Sequence, residues 1–258
     1  MSFAQKNEPI LSVCIPAFGF EKGVIRILER LKDINNIEII VSEDPSKSPL
    51  DYDRITSYPN TIMHTNRVAE GAISNWNRAL SKASGKYVWL LHHDEEPIFP
   101  YGADAFIDTL GSSGSNTIYI SNLMLDNGLW QKFFRTNFVR KILSLFPNII
   151  LVQNYIGSPS NLIIPRELNL TYNENLKYLV DVDFYRRMLI KSKLTIHYSA
   201  FDMISHRYSE SITASLKGNI TKLSNKEFEL ICEDNKITFL VKLLWNVKQC
   251  LKLISGRE

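Results

Sequence analysis

Five consecutive polar side chains follow a hydrophobic stretch near residue 90: His92, His93, Asp94, Glu95 and Glu96. Carboxylates at the end of a buried strand could bind Mg²⁺ or Mn²⁺, because these cations prefer oxygen ligands and bridge phosphate groups. A solvated loop explains the same residues equally well, since loops are commonly polar. From this segment alone the two interpretations have equal weight.

A second pair of carboxylates, Asp181 and Asp183, stands at the start of a predicted helix. The positive end of a helix stabilises negative charge there, so the pair needs no function to explain it. A carboxylate in this position could also serve as a general base that removes the proton of a hydroxyl group.

The elements that would position the first cluster follow a β–α–β pattern. Leu11–Ala17 predicts a buried strand, Glu21–Leu31 an amphipathic helix and Ile37–Val41 a second strand. A helix over Glu70–Ala83 then leads into a central strand over Lys86–Leu91. This alternation is typical of a parallel sheet, in which ligands bind beyond the carboxyl ends of the strands.

The second half of the chain is less regular. Thr117–Ser121 and Asn161–Pro165 predict strands, and Leu194–Tyr198 predicts an edge strand. Asp181–Leu189 predicts a helix, and Thr238–Ile254 predicts an amphipathic helix at the end of the chain.

Composition limits the class of protein. The 258 residues are 45% hydrophobic and 22% charged, which is ordinary for a soluble globular protein. A net charge of +3 is too small for a dedicated nucleic-acid-binding protein. Three cysteines far apart indicate neither disulfides nor a zinc cluster, and no secretory or membrane-spanning segment is evident. We therefore expect a cytoplasmic protein, at most peripheral on the cytoplasmic face of a membrane.

Three segments together resemble the family 2 glycosyltransferases of GT-A fold: residues 11–18 (LSVCIPAF), 39–46 (IIVSEDPS) and 77–95 (NRAL through GKYVWLLHHDE). In that family the three strands end in a Pro-Thr-Tyr-like turn, an acidic turn and an Asp-x-Asp motif. Order and spacing agree over roughly residues 10–100, and more loosely over 155–215. The resemblance implies an α/β fold with a Rossmann-like, mostly parallel central sheet flanked by helices.

The resemblance also implies a nucleotide-sugar site at the strand ends. Its residues would be Pro16, Ala17, Phe18, Glu43, Asp44, Asn77, His92, Asp94 and Arg207. One of Glu43 and Asp44 would accept the N3–H of a uracil or thymine ring, a donor that cytosine lacks. Capping of the following turn is the alternative role for Asp44.

By the same resemblance, Asp94 matches the usual ligand of Mn²⁺ or Mg²⁺, and His206 would complete the metal shell or contact the diphosphate. Arg207 would neutralise that diphosphate. His92 replaces the first Asp of the motif, which weakens the expected metal site, although a neutral His92 can still hydrogen-bond ribose or phosphate. An ordinary loop histidine is the alternative for His206.

Residues 178–184 (YLVDVDF) resemble the family segment that opens the acceptor-side helix, in which Asp181 aligns with the catalytic base. Inverting transfer needs a carboxylate near the acceptor hydroxyl, to take its proton as the anomeric carbon is attacked. For Asp183 we expect a structural or capping role.

The expected reaction is inverting transfer of a sugar, from a UDP-linked donor to a hydroxyl of a glycan or lipid-linked acceptor, in cell-surface polysaccharide synthesis. His92 keeps open a catalytically silent nucleotide-sugar-binding or membrane-docking protein. A sugar-phosphate nucleotidyltransferase ranks lower, because Phe18–Gly23 lacks the required glycine-rich basic signature.

We predict a GT-A domain over 1–215, with a nucleotide-sugar-binding half over about 10–115 and an acceptor-binding half over about 116–215. A helical tail follows over 216–258. The tail carries Lys242, Lys248 and Lys252 around an apolar stripe with Trp245, and the segment 129–145 is basic and aromatic. Both predict peripheral contact with an anionic membrane. Packing within the chain's own core or in a homodimer is the alternative.

Overall fold

The first strand, β1 (Leu11–Ala17), is buried along its whole length in the computed structural model. Parallel strands flank it on both sides, β2 (Ile37–Glu43) and β4 (Tyr87–Leu90), as the predicted β–α–β unit requires. The sequence analysis did not predict β3 (Thr61–Thr65), which pairs in parallel with the outer side of β2. The nearly continuous apolar runs of β1, β2 and β4 are typical of parallel strands covered on both faces.

The structure describes residues 8–125, 130–131, 137–191, 194–206, 220–234 and 237–255. The chain divides into two compact units. The first comprises Met1–Lys132, Ser158–Asn169 and Thr195–His206, and the second comprises Phe133–Gly157, Leu170–Leu194 and Arg207–Glu258. The predicted tail thus groups with two earlier segments of the chain, and the domain boundary at 215 stays a prediction.

Five further strands of the first unit extend the sheet beyond β4: β5 (Glu95–Ile98), β6 (Thr117–Leu125), β7 (Trp130–Gln131), β8 (Leu162–Pro165) and β9 (Thr195–Ser205). The order is β3-β2-β1-β4-β8-β6-β9-β5, with β7 paired to β6. β8 is antiparallel to both neighbours. Residues 195–198, which fall in the predicted edge strand, pair with β6 and with no second strand among the described residues, as an edge strand does. β9 has a further neighbour only over Asp202–Ser205, beyond the predicted segment. Its second partner is β5, a strand that the polar sequence after residue 91 concealed.

β5 also changes the interpretation of the acidic cluster. Glu95 and Glu96 are its first two residues, and each is only 4% exposed. The polar loop predicted after β4 is therefore a short turn over 91–94, and the two glutamates belong to the sheet.

Four α-helices accompany these strands in the described part of the first unit: α1 (Glu21–Leu31), α2 (Tyr52–Thr56), α3 (Ala72–Ser81) and α4 (Ala103–Ser112). α1 has the predicted bounds and buries Val24, Ile27, Leu28 and Leu31, the face that its periodicity indicated. α3 buries Asn75, Trp76 and Ala79. Of these three residues, Asn75 contributes to the candidate site.

The described part of the second unit is helical: α5 (Asn137–Leu145), α6 (Val180–Lys191), α7 (Ile220–Asp234) and α8 (Phe239–Ser255). α6 and α8 were predicted to within two residues, whereas α7 lies in the helical tail predicted over 216–258 but had no predicted bounds of its own. Trp245 of α8 stacks on Phe228 of α7, with parallel rings 4.3 Å apart, and its Nε1 donates to Asn225 Oδ1 at 3.1 Å. These contacts join the last two helices.

The apolar stripe predicted on the tail lies on the exposed side of α8. Leu240, Leu243, Val247 and Leu251 are each 46–60% exposed. Trp245 is buried instead, and the Lys248 ammonium donates to the carbonyl of Val152, so these two residues serve the second unit's interior. None of the helices described is long and apolar enough to cross a membrane. Membrane contact through the exposed stripe stays a prediction.

The stripe gives that prediction a direct test. If it binds an anionic bilayer, the full chain should sediment with phosphatidylserine-containing vesicles at low salt, because apolar area and cations both favour that surface. The double change Leu243→Ser and Val247→Ser should then leave the protein in the supernatant, and neutral vesicles serve as the control. A wild-type chain that stays in the supernatant with anionic vesicles would contradict membrane contact.

Gly23 determines how closely α1 approaches the turn after β4. A Cβ added at this position would lie 2.2 Å from the His93 carbonyl oxygen and 2.5 Å from the Phe20 ring. We expect Gly23→Ala to destabilise the protein by about 1–3 kcal/mol through overpacking, although alanine favours helix. Thermal unfolding measures this, with Gly111→Ala in α4 as the control, where the added atom would meet only the flexible end of Ile10. Equal midpoints for wild type and Gly23→Ala would contradict the close approach.

Candidate functional site

The carboxyl ends of β1, β2 and β4 lie side by side at one edge of the sheet. β2 follows β1 in the chain and lies on one side of it, whereas β4 lies on the other. The direction of strand order therefore reverses between β1 and β4, and open parallel sheets bind ligands at such a reversal. This is the edge at which the sequence analysis placed the nucleotide-sugar site.

The end of β1 combines a buried backbone with an exposed aromatic ring. Pro16 and Ala17 are buried, while Phe18 is 61% exposed. His93 Nδ1 lies 3.1 Å from the Pro16 carbonyl oxygen, a contact in which the protonated nitrogen donates. The turn after β4 is thereby tied to the end of β1, and the ring of Phe18 is accessible for stacking on a flat ligand.

Glu43 and Asp44, at the end of β2, are buried and hydrogen-bonded to the protein. The Leu50 N–H donates to Glu43 Oε1 at 2.7 Å, and burial raises the pKa of Glu43 above its ordinary value. Asp44 accepts from the Gly71 N–H at 2.9 Å and from the side-chain amide of Asn66. These partners lie 22 and 27 residues after Asp44, so the carboxylate binds distant loop residues instead of capping the turn that directly follows it. Contact of either carboxylate with a base stays a prediction.

Asn75 of α3 holds the ends of β1 and β2 together, a role that the sequence analysis missed. Its Nδ2 donates to the carbonyl oxygens of Ser42 at 2.9 Å and Ala17 at 3.2 Å, and its Oδ1 accepts from Ser42 Oγ at 2.6 Å. Asn77, which was predicted to bind the donor, lies about 200° further around the helix at about 100° per residue. The only sequence signal for Asn75 was a polar residue on the apolar face of a predicted helix.

His92 is a neutral side chain at the end of β4. Its ring packs on Trp76, with 4.7 Å between ring centroids, and its backbone N–H donates to Ser160 Oγ at 2.9 Å. The ring Nε2 is buried and has no hydrogen-bond partner among the residues that the structure describes. Burial lowers the pKa of His92 to about 4, so the imidazole is uncharged at neutral pH. His92 can hydrogen-bond a ligand but brings no charge.

The three acidic residues after His92 have different surroundings. Asp94 is partly exposed, and its carboxylate makes no hydrogen bond with the residues that the structure describes. Glu95 accepts from Ser158 Oγ at 2.8 and 2.9 Å. Glu96 is paired with cations. Asp94 is therefore the carboxylate of this cluster that is accessible to a ligand.

Glu96 accounts for the position of His206. Its carboxylate lies 2.5 Å from Arg30 Nε, 3.4 Å from Arg26 Nε and 3.1 Å from His206 Nε2. Burial alone would raise the pKa of Glu96, but hydrogen bonds from Arg30 and His206 hold it below its ordinary value. For His206 Nε2 to contact a metal, as predicted, the ring would have to leave Glu96. The backbone N–H of His206 donates to the Asp94 carbonyl oxygen at 2.9 Å. Arg207 lies outside the described residues.

A divalent cation fits Asp94 only with help from its substrate. Among the described residues, no group of three or more His, Cys, Asp or Glu side chains could hold a metal ion. Mg²⁺ is commonly bound by one or two carboxylates together with substrate phosphates and water. One accessible carboxylate fits a cation that arrives with a diphosphate, and does not fit a permanently bound ion.

In the second unit, Asp181 lies in the first turn of α6. Its carboxylate makes no hydrogen bond with the described residues, and burial raises its pKa from 3.8 to about 7. A carboxylate that loses its proton near neutral pH is well suited to general base catalysis.

Asp183 has the structural role expected of it. It is buried and accepts from Arg186 Nη2 at 3.1 Å and from Arg187 Nε at 2.8 Å, and Arg187 also donates to the Thr171 carbonyl at 2.8 Å. These side chains line an open cavity of about 450 Å³, about 140–240° around α6 from Asp181 at about 100° per residue. The cavity therefore lies away from the side of α6 that carries Asp181.

Comparison with known proteins agrees with the sequence resemblance. Residues 12–99 match the family described as Glycosyl transferase family 2. No curated protein sequence matches the chain significantly. Among solved structures, S. aureus TarS 1–349 in complex with UDP-GlcNAc is similar with a TM-score of 0.59 and 17% identity, over 83% of this chain and 64% of that one. TarS 1–349 in complex with UDP gives a TM-score of 0.56 and 18% identity, over 84% and 64%.

A longer TarS structure is similar over 84% of this chain with a TM-score of 0.57 and 19% identity. The chain spans only 39% of that structure's length. At these identities the likeness concerns the fold, which is the GT-A fold that the resemblance implied, while the family match covers the strands and turns of the candidate donor site. Residues 12–99 thus match the family that the sequence resemblance named, and the chain has the GT-A fold that this resemblance implied.

Proposed function

We propose that this protein is an inverting glycosyltransferase that moves a sugar from a UDP-linked donor to a hydroxyl group of a glycan or lipid-linked acceptor. The observation that carries the proposal is Asp94, a carboxylate without a hydrogen bond to the described residues, at the strand-order reversal of a segment that matches family 2. Two TarS structures of the same fold are complexes with UDP-GlcNAc and UDP, which supports UDP as the nucleotide.

The donor would bind at the ends of β1, β2 and β4. Phe18 would stack on the base, and the neutral imidazole of His92 would hydrogen-bond ribose or phosphate through Nε2, which has no partner among the described residues. Asp94 would hold Mn²⁺ or Mg²⁺ together with the diphosphate. When bound, that cation supplies positive charge to the leaving diphosphate.

Asp181 would act as the general base. Inverting transfer breaks the bond between the anomeric carbon and the diphosphate while the acceptor oxygen attacks from the opposite side. The acceptor proton passes to the Asp181 carboxylate. A pKa near 7 suits this step, because the residue is largely ionised at slightly alkaline pH and remains basic enough to take a proton.

For the acceptor and its setting, we propose cell-surface polysaccharide synthesis on the cytoplasmic face of a membrane. The exposed stripe of α8 supports a place beside a lipid surface. Cys14, Cys232 and Cys250 are all free, which agrees with a reducing compartment. A homodimer through the same stripe is the alternative use of that surface.

A catalytically silent nucleotide-sugar-binding protein is the second candidate. His92 favours it, because a neutral imidazole stands where the family motif has a carboxylate. Slow release of UDP from UDP-sugars in the presence of Mn²⁺ distinguishes the two, since hydrolysis needs a working leaving-group site. The nucleotidyltransferase alternative gains nothing from the family match.

Asp181→Asn should lower transfer by about 10²–10⁴-fold and leave donor affinity unchanged, because it removes the base and none of the donor-site residues. Wild-type transfer should rise with pH through about 7, as Asp181 loses its proton. Rates between pH 5 and 9 and calorimetric titration of UDP measure both effects. Undiminished transfer by Asp181→Asn would exclude Asp181 as the base.

The same pKa has a consequence for stability that needs no substrate. The folded state keeps the Asp181 proton up to about pH 7, whereas an unfolded aspartate loses it near 3.8, so this group makes folding less favourable as pH rises through that window. Asn cannot ionise. The unfolding temperature of Asp181→Asn should therefore rise relative to that of wild type as the pH is raised from 4 to 8.

Asp94→Ala should abolish the Mn²⁺-dependent part of UDP binding with little effect on folding, because the carboxylate makes no hydrogen bond with the described residues. Titration of UDP with and without Mn²⁺ measures this, and Asp104→Ala on the exposed face of α4 is the matched control. Unchanged Mn²⁺-dependent affinity in Asp94→Ala would remove Asp94 from the metal site and direct attention to Glu95.

A further inference from the structure

One glutamate of α7 binds the backbone that leads into α6. Glu227 is only 4% exposed, and its carboxylate accepts hydrogen bonds from three consecutive backbone N–H groups. Lys177 donates to Oε1 at 2.6 Å, and Leu179 donates to Oε2 at 2.7 Å. Tyr178 donates to both oxygens, at 3.3 and 3.0 Å. Both oxygens are thus engaged with the backbone.

These N–H groups lie at the point where α6 begins. The Leu179 carbonyl accepts the first intrahelical bond, from the Asp183 N–H at 3.0 Å, so Leu179 is the N-cap residue. Leu179 has no side-chain oxygen with which to cap the helix. Glu227, 48 residues later in the chain, accepts from the N–H of this N-cap residue itself, whereas a capping Ser or Asp would accept from the N–H groups two or three residues further along the helix.

Burial of this carboxylate needs a reason. Taking a charged group out of water is costly unless hydrogen bonds replace the lost hydration. No ion pair with Glu227 occurs among the described residues, so the backbone N–H groups provide that compensation. An apolar side chain would pack α7 against its neighbours at lower cost, as Phe228 does on Trp245. The reason for a carboxylate at this position is therefore its hydrogen bonds to the backbone that enters α6.

We propose that Glu227 is a positioning residue for Asp181, an inference that rests on the proposed role of Asp181 as the base. Fixing three successive N–H groups on one buried carboxylate fixes the backbone over 177–179. Asp181 follows two residues later in the first helical turn, so the direction of its side chain depends on that entry. Glu227 itself lies on a different helix and contacts no reacting atom.

Glu227→Gln tests this with little change of size. The amide keeps one acceptor oxygen but turns the other position into an NH₂ donor that faces N–H groups, so either Lys177 or Leu179 loses its acceptor. We expect transfer to fall by about 10–100-fold, the scale of a base displaced by about 1 Å. UDP affinity should stay unchanged, since no donor-site residue is touched. Glu229→Gln, on an exposed position of the same helix, is the matched control.

The decisive comparison repeats Glu227→Gln in the Asp181→Asn protein. If Glu227 acts through Asp181, the double variant loses no more transfer than Asp181→Asn alone. If Glu227 only stabilises the fold, the two losses multiply, and the proposal is overturned. It is likewise overturned if Glu227→Gln alone retains full transfer.

Two further measurements keep the outcomes separate. Full transfer by Asp181→Asn alone would show that the proposed base is at fault rather than Glu227. Circular dichroism melts show whether Glu227→Gln folds. If it does not, Glu227→Asp replaces it in both backgrounds, because it keeps the charge and shortens the reach by one methylene.

Discussion

The parallel pairing of β1 with β2 on one side and β4 on the other is the constraint on which the candidate donor site depends. Because β1 is buried along its length, its end and those of its neighbours are the places where this part of the sheet can meet a ligand. The strand-order reversal there leaves a crevice instead of another strand. Asn75 and the His93–Pro16 contact then hold the three ends at fixed spacing.

Burial decides which acidic residues at this edge serve structure and which can serve chemistry. Glu43, Asp44, Glu95 and Glu96 are each less than 5% exposed, and each accepts hydrogen bonds from the protein. Burial of a charged carboxylate is costly without such partners, so hydrogen bonds within the protein hold these four in place. Asp94 stays partly exposed and accessible. The sequence shows only that acidic residues are clustered, whereas the structure distinguishes the buried, hydrogen-bonded carboxylates from the partly exposed Asp94.

The sequence predicted well what is decided locally. β1 and α1 have the predicted bounds because an apolar run and a helical period each depend only on neighbouring residues. β3 and β5 were missed because each is short and at least half polar, and because their pairing partners determine them. The pairing of the later part of β9, over Asp202–Ser205, was missed for the same reason, since its partner there is β5.

The candidate site divides in a similar way. Asp94 and Asp181 could be proposed because motif order and spacing are properties of the sequence. Asn75 and Glu227 could not, because their partners lie on other elements, 33 and 58 residues away for Asn75 and 48–50 for Glu227. A polar residue on an apolar helix face was the available signal in both cases. It indicates a buried partner without saying which.

The position of Asp181 sets two effects against each other. The first turn of a helix favours a charged carboxylate and would lower its pKa, yet burial raises the pKa to about 7. Glu227 accepts the hydrogen bonds of the N–H groups over 177–179, so the entry of α6 is held by a carboxylate other than Asp181. Asp181 can then remain protonated in the folded protein until near neutral pH. The N-terminus of α6 can carry a base because Glu227 binds the entering backbone, which leaves the Asp181 carboxylate available to take a proton.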